Sequence, residues 1–249
     1  VVKIKLLTPS LSSDFNRVKK ELNKYNIKIS ESKDQNENID ALIFILDGER
    51  DFRVILTMAA IVLNCNKTLA FTKTSYLGTT GIDNWNTVLN KLKQDESDIY
   101  KRAKVIVFIG DIDNQRKYEN LMSTLGNNIK EDIDGVYIFH DGDKIVIITY
   151  NGDLNDNRFS SHEIEEDIIK FLKGINEPKV NERISMLRNI VDAKDFYDKL
   201  NKNFRNFRLG SELFDNLDKL LIYLMIRHKE HCRKSFYRLD HTLRLIANP

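Results

Sequence analysis

The sequence predicts an α/β fold, a mostly parallel sheet flanked by helices, followed by a C-terminal all-helical region. Three observations carry that prediction. Two apolar runs, 41–46 and the mostly β-branched 105–109, read as strands buried on both faces of a sheet. Segments of helical periodicity alternate with strand signals through the first part of the chain, the pattern of a layered α/β protein. Beyond Pro178 the strand signal ends, and apolar residues advance in steps of three and four.

The elements follow in order. Lys3 to Thr8 alternates as a strand. Pro9 to Asp14 is loop and cap, and Phe15, Val18, Leu22 and Tyr25 form the stripe of a first helix. Ser30 to Asn38 is a polar loop. Ala41 to Leu46 is a buried strand ending in Asp47-Gly48-Glu49-Arg50-Asp51, and Phe52 to Leu63 is a largely buried helix. A short strand at Thr68 to Phe71, a Gly/Thr loop at Leu77 to Gly81 and a helix at Trp85 to Leu92 come next. The strand Val105 to Ile109 then stops at Gly110-Asp111-Ile112-Asp113. A helix over roughly Gln115 to Leu125 leads to two strands within Val136 to Tyr150, where Asp141-Gly142 favours a tight hairpin. Glu163 to Leu172 reads as a helix. Gly174, Asn176 and Pro178 then lie between two helical patterns and mark the clearest boundary. Residues 1–176 are therefore expected as an α/β domain, with 1–40 an N-terminal βα extension, and 177–249 as a basic helical domain.

In that last segment Leu217, Leu220, Leu221, Leu224, His228, Cys232, Leu239, Leu243 and Ile246 make the buried stripe of one long helix, or of two joined near Lys234. Arg227, His231, Lys234, Arg238 and His241 are spaced 4, 3, 4 and 3 and form a second, almost wholly basic stripe. Residues 178–249 carry 15 Lys and Arg against 9 Asp and Glu, although the whole chain is only +2. An acidic first part and a basic last part suggest metal chemistry in one and polyanion binding in the other.

Composition excludes several classes. With 41% hydrophobic and 31% charged residues the chain reads as an ordinary soluble globular protein. No apolar run approaches the roughly 18 residues that span a bilayer, so no membrane partner is expected. The alternating start lacks the features of a signal peptide, and Cys65 and Cys232 lie too far apart to suggest a disulfide framework. A cytoplasmic location is the expectation. His228, His231, Cys232 and His241 fit no common zinc spacing.

The chemistry is expected at the two acidic strand ends. Ligands of open α/β sheets gather beyond the carboxyl ends of the strands. If the strands ending at Leu46 and Ile109 are parallel neighbours, Asp47, Asp111 and Asp113 converge at one edge. Such a cluster repels itself unless it holds a hard divalent cation, Mg²⁺ or Mn²⁺. Ions held there activate a water and stabilise an in-line phosphoryl displacement.

With these corners the chain resembles the Toprim family, the catalytic domain of topoisomerases, primases and OLD-type nucleases. Leu46-Asp47-Gly48-Glu49-Arg50-Asp51 resembles that family's Glu-Gly-x-x-Asp-like corner, and Gly110-Asp111-Ile112-Asp113 its Asp-x-Asp corner. Gly78-Thr79-Thr80-Gly81 looks like its glycine-containing connection, and His162 to Asp167 a further acidic helix start. The resemblance covers roughly residues 41–172. It implies Asp47 or Glu49 in acid/base chemistry and Asp47, Asp111 and Asp113 as metal ligands. Asp47 departs from the pattern, one methylene shorter than the family's glutamate. A weaker resemblance, to nucleoside deoxyribosyltransferases and related Rossmann-like domains, accounts better for residues 1–40. Ile55-Leu56-Thr57-Met58 stands where those transferases carry a nucleophilic glutamate.

Two functions follow from these readings. The first is a Mg²⁺-dependent phosphoryl-transfer enzyme on DNA or RNA, a nuclease, with Arg227, Lys234 and Arg238 on the phosphate backbone. The second is a non-catalytic nucleotide- or partner-binding module whose helical part transmits a signal or forms a homodimer.

Overall fold

The computed structural model describes Val1 to Pro249 except residues 46–47, 64–65, 74–77, 79–80, 127–128, 155–158, 160–161 and 188–191, and the backbone alone of Glu49. Ten strands are described: β1 Val2–Leu6, β2 Ile29–Glu31, β3 Ile39–Ile45, β4 Thr68–Lys73, β5 Ala103–Asp111, β6 Lys130–Ile133, β7 Val136–Asp141, β8 Lys144–Asn151, β9 Phe207–Leu209 and β10 Glu212–Phe214. The helices are α1 Ser12–Lys24, α2 Glu49–Val62, α3 Trp85–Asp95, α4 Ser97–Arg102, α5 Gln115–Thr124, α6 Ile164–Gly174, α7 Pro178–Ser185, α8 Ala193–Asn203, α9 Leu217–Arg227, α10 Lys229–Ser235 and α11 Tyr237–Ala247.

Eight strands form one sheet in the order β2-β1-β4-β3-β5-β8-β7-β6. From β2 to β8 every neighbouring pair is parallel, and the β8-β7-β6 edge is antiparallel. The fold is therefore α/β with a mostly parallel sheet, as the buried runs imply. β3 and β5 are direct neighbours, with Ile45 opposite Ile109, and β5 continues to Asp111, opposite Asn151 of β8.

Alternation along the strands divides the core in two. Ala41, Ile43, Ile45, Val105, Val107, Ile109 and Ile147 face α1, α2, α6 and the C-terminal helices. Leu42, Phe44, Ile106, Phe108, Val146 and Ile148 face α3 and α5, with Phe44 and Phe108 stacked at 5.1 Å between centroids. The chain leaves β3 through α2 on the first face and leaves β5 through α5 on the second. Neighbouring strands whose connections depart to opposite faces open a crevice at their carboxyl ends. That crevice is where the candidate site lies.

From the segment 177–249, expected as a basic helical domain, Val180 to Ile246 contribute buried side chains to the same cluster as the first-face core. Two expectations for this segment are corrected. It is not all helical: β9 and β10 pair antiparallel around Gly210, whose φ of +60° suits glycine. Nor is the tail one or two helices. The backbone leaves helical geometry at His228 (φ −113°, ψ 47°) and again at Phe236 (φ −105°, ψ 46°), giving three short helices. The apolar stripe holds, because Leu217, Leu220, Leu221, Leu224, Cys232, Leu239, Leu243 and Ile246 are all buried.

The basic stripe does not hold. Arg227 and Lys234 are exposed, but His231 stacks on Phe171 and Arg238 is only 9% exposed. The Arg238 guanidinium lies 4.3 Å over the Tyr150 ring and donates to the carbonyls of Gly152 (2.6 Å) and Asp134 (3.0 Å). It passes over Gly135, where a Cβ would sit 2.4 Å from Arg238 Nε. Arg238 therefore clamps the β6–β7 turn to the end of β8 instead of standing with Arg227 and Lys234 on an exposed face.

No described helix is long and apolar enough to cross a membrane. Cys232 is a free, buried thiol.

Candidate functional site

Three side chains meet where β3, β5 and β8 end. Asp111 closes β5 on the α2/α6 side of the sheet, following Val105, Val107 and Ile109 in alternation. Asn151 closes β8 beside it. Asp51 comes from the first turn of α2, where its Oδ2 accepts the Gly48 N–H at 3.0 Å and caps the helix. The Asn151 amide joins the two acids, Nδ2 donating to Asp51 Oδ1 (3.0 Å) and Asp111 Oδ1 (2.9 Å). Asp111 Oδ1 also accepts the Ile164 N–H at 3.1 Å, from the start of α6. All three residues are at most 5% exposed. Sharing one donor nitrogen keeps the two Oδ1 atoms within about 6 Å, close enough for like charges to repel strongly.

Asp51 and Asp111 line a cleft of about 590 Å³ whose walls carry both signs of charge, with Asn151 behind them. Arg50, Arg53, Lys73 and Lys194 supply cations, and Asp113, Glu163 and Glu165 add to the acids. Several of these charges are already paired. Arg50 binds Glu165, reaches Asp198 at 3.3 Å and stacks 3.9 Å over the Tyr197 ring. Arg53 pairs with Asp218, and Lys117 holds Asp113 at 2.6 Å from one turn along α5. Buried Arg50 Nε and Arg53 Nε have no hydrogen-bond partner among the described residues, and among the cleft carboxylates Glu163 shares that state. Its buried Oε2 has no hydrogen-bond partner among the described residues. Burial and then the charge of Glu165 push its carboxyl up to about 7, with Lys194 opposing them.

The expected site residues now have places. Asp111 lies at the centre of the cleft. Asp113 lines it too, but its carboxylate is turned to Lys117. Asp47 lies outside the described residues, and Glu49 is known only as the first backbone position of α2. Arg227, Lys234 and Arg238 do not line the cleft. Asp51, Asn151, Glu163 and the four cations were not anticipated as site residues. The last residue of the Asp47–Asp51 corner was a usable signal for Asp51. Asn151 had none, because only strand register places it beside Asp111.

Among the described residues no three His, Cys, Asp or Glu side chains gather closely enough to hold a metal ion. The donors present nevertheless suit a hard cation. They are all oxygen, they crowd like charges, and Glu163 leaves one buried oxygen unpartnered. Mg²⁺ takes one or two carboxylates and completes its shell with water and substrate phosphate.

No family model matches the chain, and no curated protein or solved structure is significantly similar to it.

Proposed function

We propose that the protein is a metal-dependent phosphoryl-transfer enzyme acting on nucleic acid, a nuclease of Toprim-like organisation, with this cleft as its active site. The observation that carries the proposal is the Asp51–Asn151–Asp111 cluster at the switch point of the sheet, beside the unpartnered Glu163 oxygen. Asp111 and Asp51 would hold Mg²⁺ or Mn²⁺, with Asp47 a further candidate from the neighbouring corner. The ion, when bound, neutralises charge on the phosphoryl oxygens.

The remaining roles belong to side chains of the chain itself. Asn151 fixes both carboxylates, so their spacing is set before any ligand arrives. Arg53, Lys73 and Lys194 offer positive charge to phosphate oxygens from the cleft walls. Glu163, poised near neutral pH, suits proton transfer there, the role that the resemblance assigns to Asp47 or Glu49. We place this activity in the cytoplasm, a reading with which the free thiol of Cys232 agrees.

One observation favours a non-catalytic nucleotide- or partner-binding module instead. The Arg50–Glu165 and Lys117–Asp113 pairs already balance part of the cleft's charge within the chain. Cleavage assays over DNA and RNA with Mg²⁺ or Mn²⁺ separate the two readings. The enzyme reading expects divalent-dependent cleavage, lost in Asp111→Asn while folding is retained. Cleavage that survives this substitution removes Asp111 from the mechanism. A parent without cleavage supports the binding module.

A further inference from the structure

A second groove adjoins the cleft and supplies the basic surface that the α9–α11 stripe does not. It lies between α1 and α9, encloses about 430 Å³, and shares the side chain of Arg53 with the cleft. Arg17, Lys20 and Lys24 recur at steps of three and four and are exposed on one face of α1. Lys219 joins them from α9. With Arg53, five cations line the groove against two carboxylates, Glu21 and Asp218.

Both carboxylates are engaged within the protein. Glu21 is buried and paired with Lys24 at 2.7 Å, and Asp218 is held by Arg53 and by the Tyr197 hydroxyl at 2.6 Å. Lys20 forms no ion pair among the described residues. Beyond the lining, Asp14 pairs with Arg17 at 3.9 Å and with Arg53 at 3.7 Å, and Asp215 pairs with Lys219, so the five cations exceed the carboxylates paired with them by one along a concave track that shares Arg53 with the cleft.

We propose that this groove carries the phosphodiester backbone of a nucleic-acid strand to the cleft, with Arg53 at the junction. Only the destination of the track rests on the enzymatic reading above. Charge and spacing support the occupant. Arg17 to Lys24 covers seven residues of helix, about 10 Å. Three exposed cations over that length can follow a short run of phosphates on one strand.

The test is binding of single-stranded DNA and RNA oligonucleotides, followed by fluorescence anisotropy in EDTA over a range of salt. The parent should bind with salt-dependent affinity. Arg17→Gln/Lys20→Gln/Lys24→Gln should weaken binding about tenfold or more and reduce the salt slope by about 2, at about 0.7 per lost contact. Losing Arg17 and Lys24 removes their ion pairs with Asp14 and Glu21, so Lys20→Gln alone is the second variant. It breaks no ion pair among the described residues and should lower the slope by about 0.7. A parent that binds neither oligonucleotide overturns the inference. So do groove variants with unchanged affinity and slope, or a loss confined to an Arg227→Gln/Lys234→Gln comparison variant. Weakened binding in the groove variants of a parent that never cleaves supports the groove and rejects the enzymatic reading alone.

Discussion

The two sides of the first turn of α6 hold carboxylates in opposite states. On the side of the loop that follows β8, Glu166 is fully buried and closely partnered. Its Oε2 accepts the Asp153 N–H and lies 3.0 Å from His162 Nδ1, while Oε1, which accepts no hydrogen bond among the described residues, is held by the charge of Lys170 at 3.1 Å. Asp167 accepts the Gly152 N–H at 3.1 Å beside it. On the cleft side Glu163 has an oxygen equally hidden from water and no partner among the described residues. Adjacent residues of one type thus do different work. Glu166 and Asp167 close a loop, whereas Glu163 Oε2 bonds to nothing among the described residues.

The contrast should appear first in stability. Glu166→Ala strands His162 and Lys170 beside a buried gap, and breaking a buried pair costs roughly 3 kcal/mol or more. Urea unfolding near neutral pH should show that loss. A change within about 0.5 kcal/mol would mean that the loop side is no more structural than an ordinary surface.

Asp167 should add a pH dependence of known sign. Burial pushes its carboxyl up to about 6, against the Gly152 N–H and the charge of Arg238. The folded state therefore holds this proton more tightly than the unfolded chain, whose carboxyl has the ordinary value of 3.8. The contribution is fully present below about pH 4 and is lost as pH rises through about 6, at most ~3 kcal/mol. Asp167→Asn keeps an acceptor for Gly152 and should lack that decline, so it should exceed the parent in stability at pH 7. Parallel stability curves for the two proteins from pH 4 to 7 would contradict this.

The smallest expected effect lies on the cleft side. Glu163 has a raised carboxyl as well, so Glu163→Gln should raise the melting temperature by a few degrees at pH 8 in EDTA. It should do nothing at pH 4, where both forms are neutral. Added Mg²⁺ should stabilise the parent more than the variant. A variant that is less stable than the parent at pH 8 would place Glu163 with the structural carboxylates.

Much of the frame was legible in the sequence, for physical reasons. Buried parallel strands must be apolar on both faces, so 41–46 and 105–109 announce themselves, and the Asp141-Gly142 turn marks β7 and β8, with φ of +65° at Gly142. Edge strands carry weaker signals: β2, with Ser30 and Glu31 in it, reads as loop. The β9–β10 hairpin had a readable sign, Phe207-Arg208-Leu209 and Glu212-Leu213-Phe214 about Gly210-Ser211, but three-residue strands give little periodicity. The basic stripe failed because helical spacing accumulates only along an unbroken helix, and the breaks at His228 and Phe236 turn Arg238 inward. At the site, Asp111 was visible as a strand-terminal acid. Asp51 looks like any acid in a helix's first turn, and Asn151 reaches Asp111 through a pairing that no local pattern records.

The central claim is that the cleft binds a divalent cation between Asp51 and Asp111. Mn²⁺ titration of the parent and of Asp111→Asn, followed by the loss of the free-ion electron paramagnetic resonance signal, tests it most directly. The parent should bind at least one Mn²⁺ that Mg²⁺ displaces. Asp111→Asn should bind it more than about 100-fold more weakly, beyond the about 10–100-fold typical of changes to groups that only support a ligand. A parent that leaves Mn²⁺ free, or a variant that binds it equally well, would contradict the account.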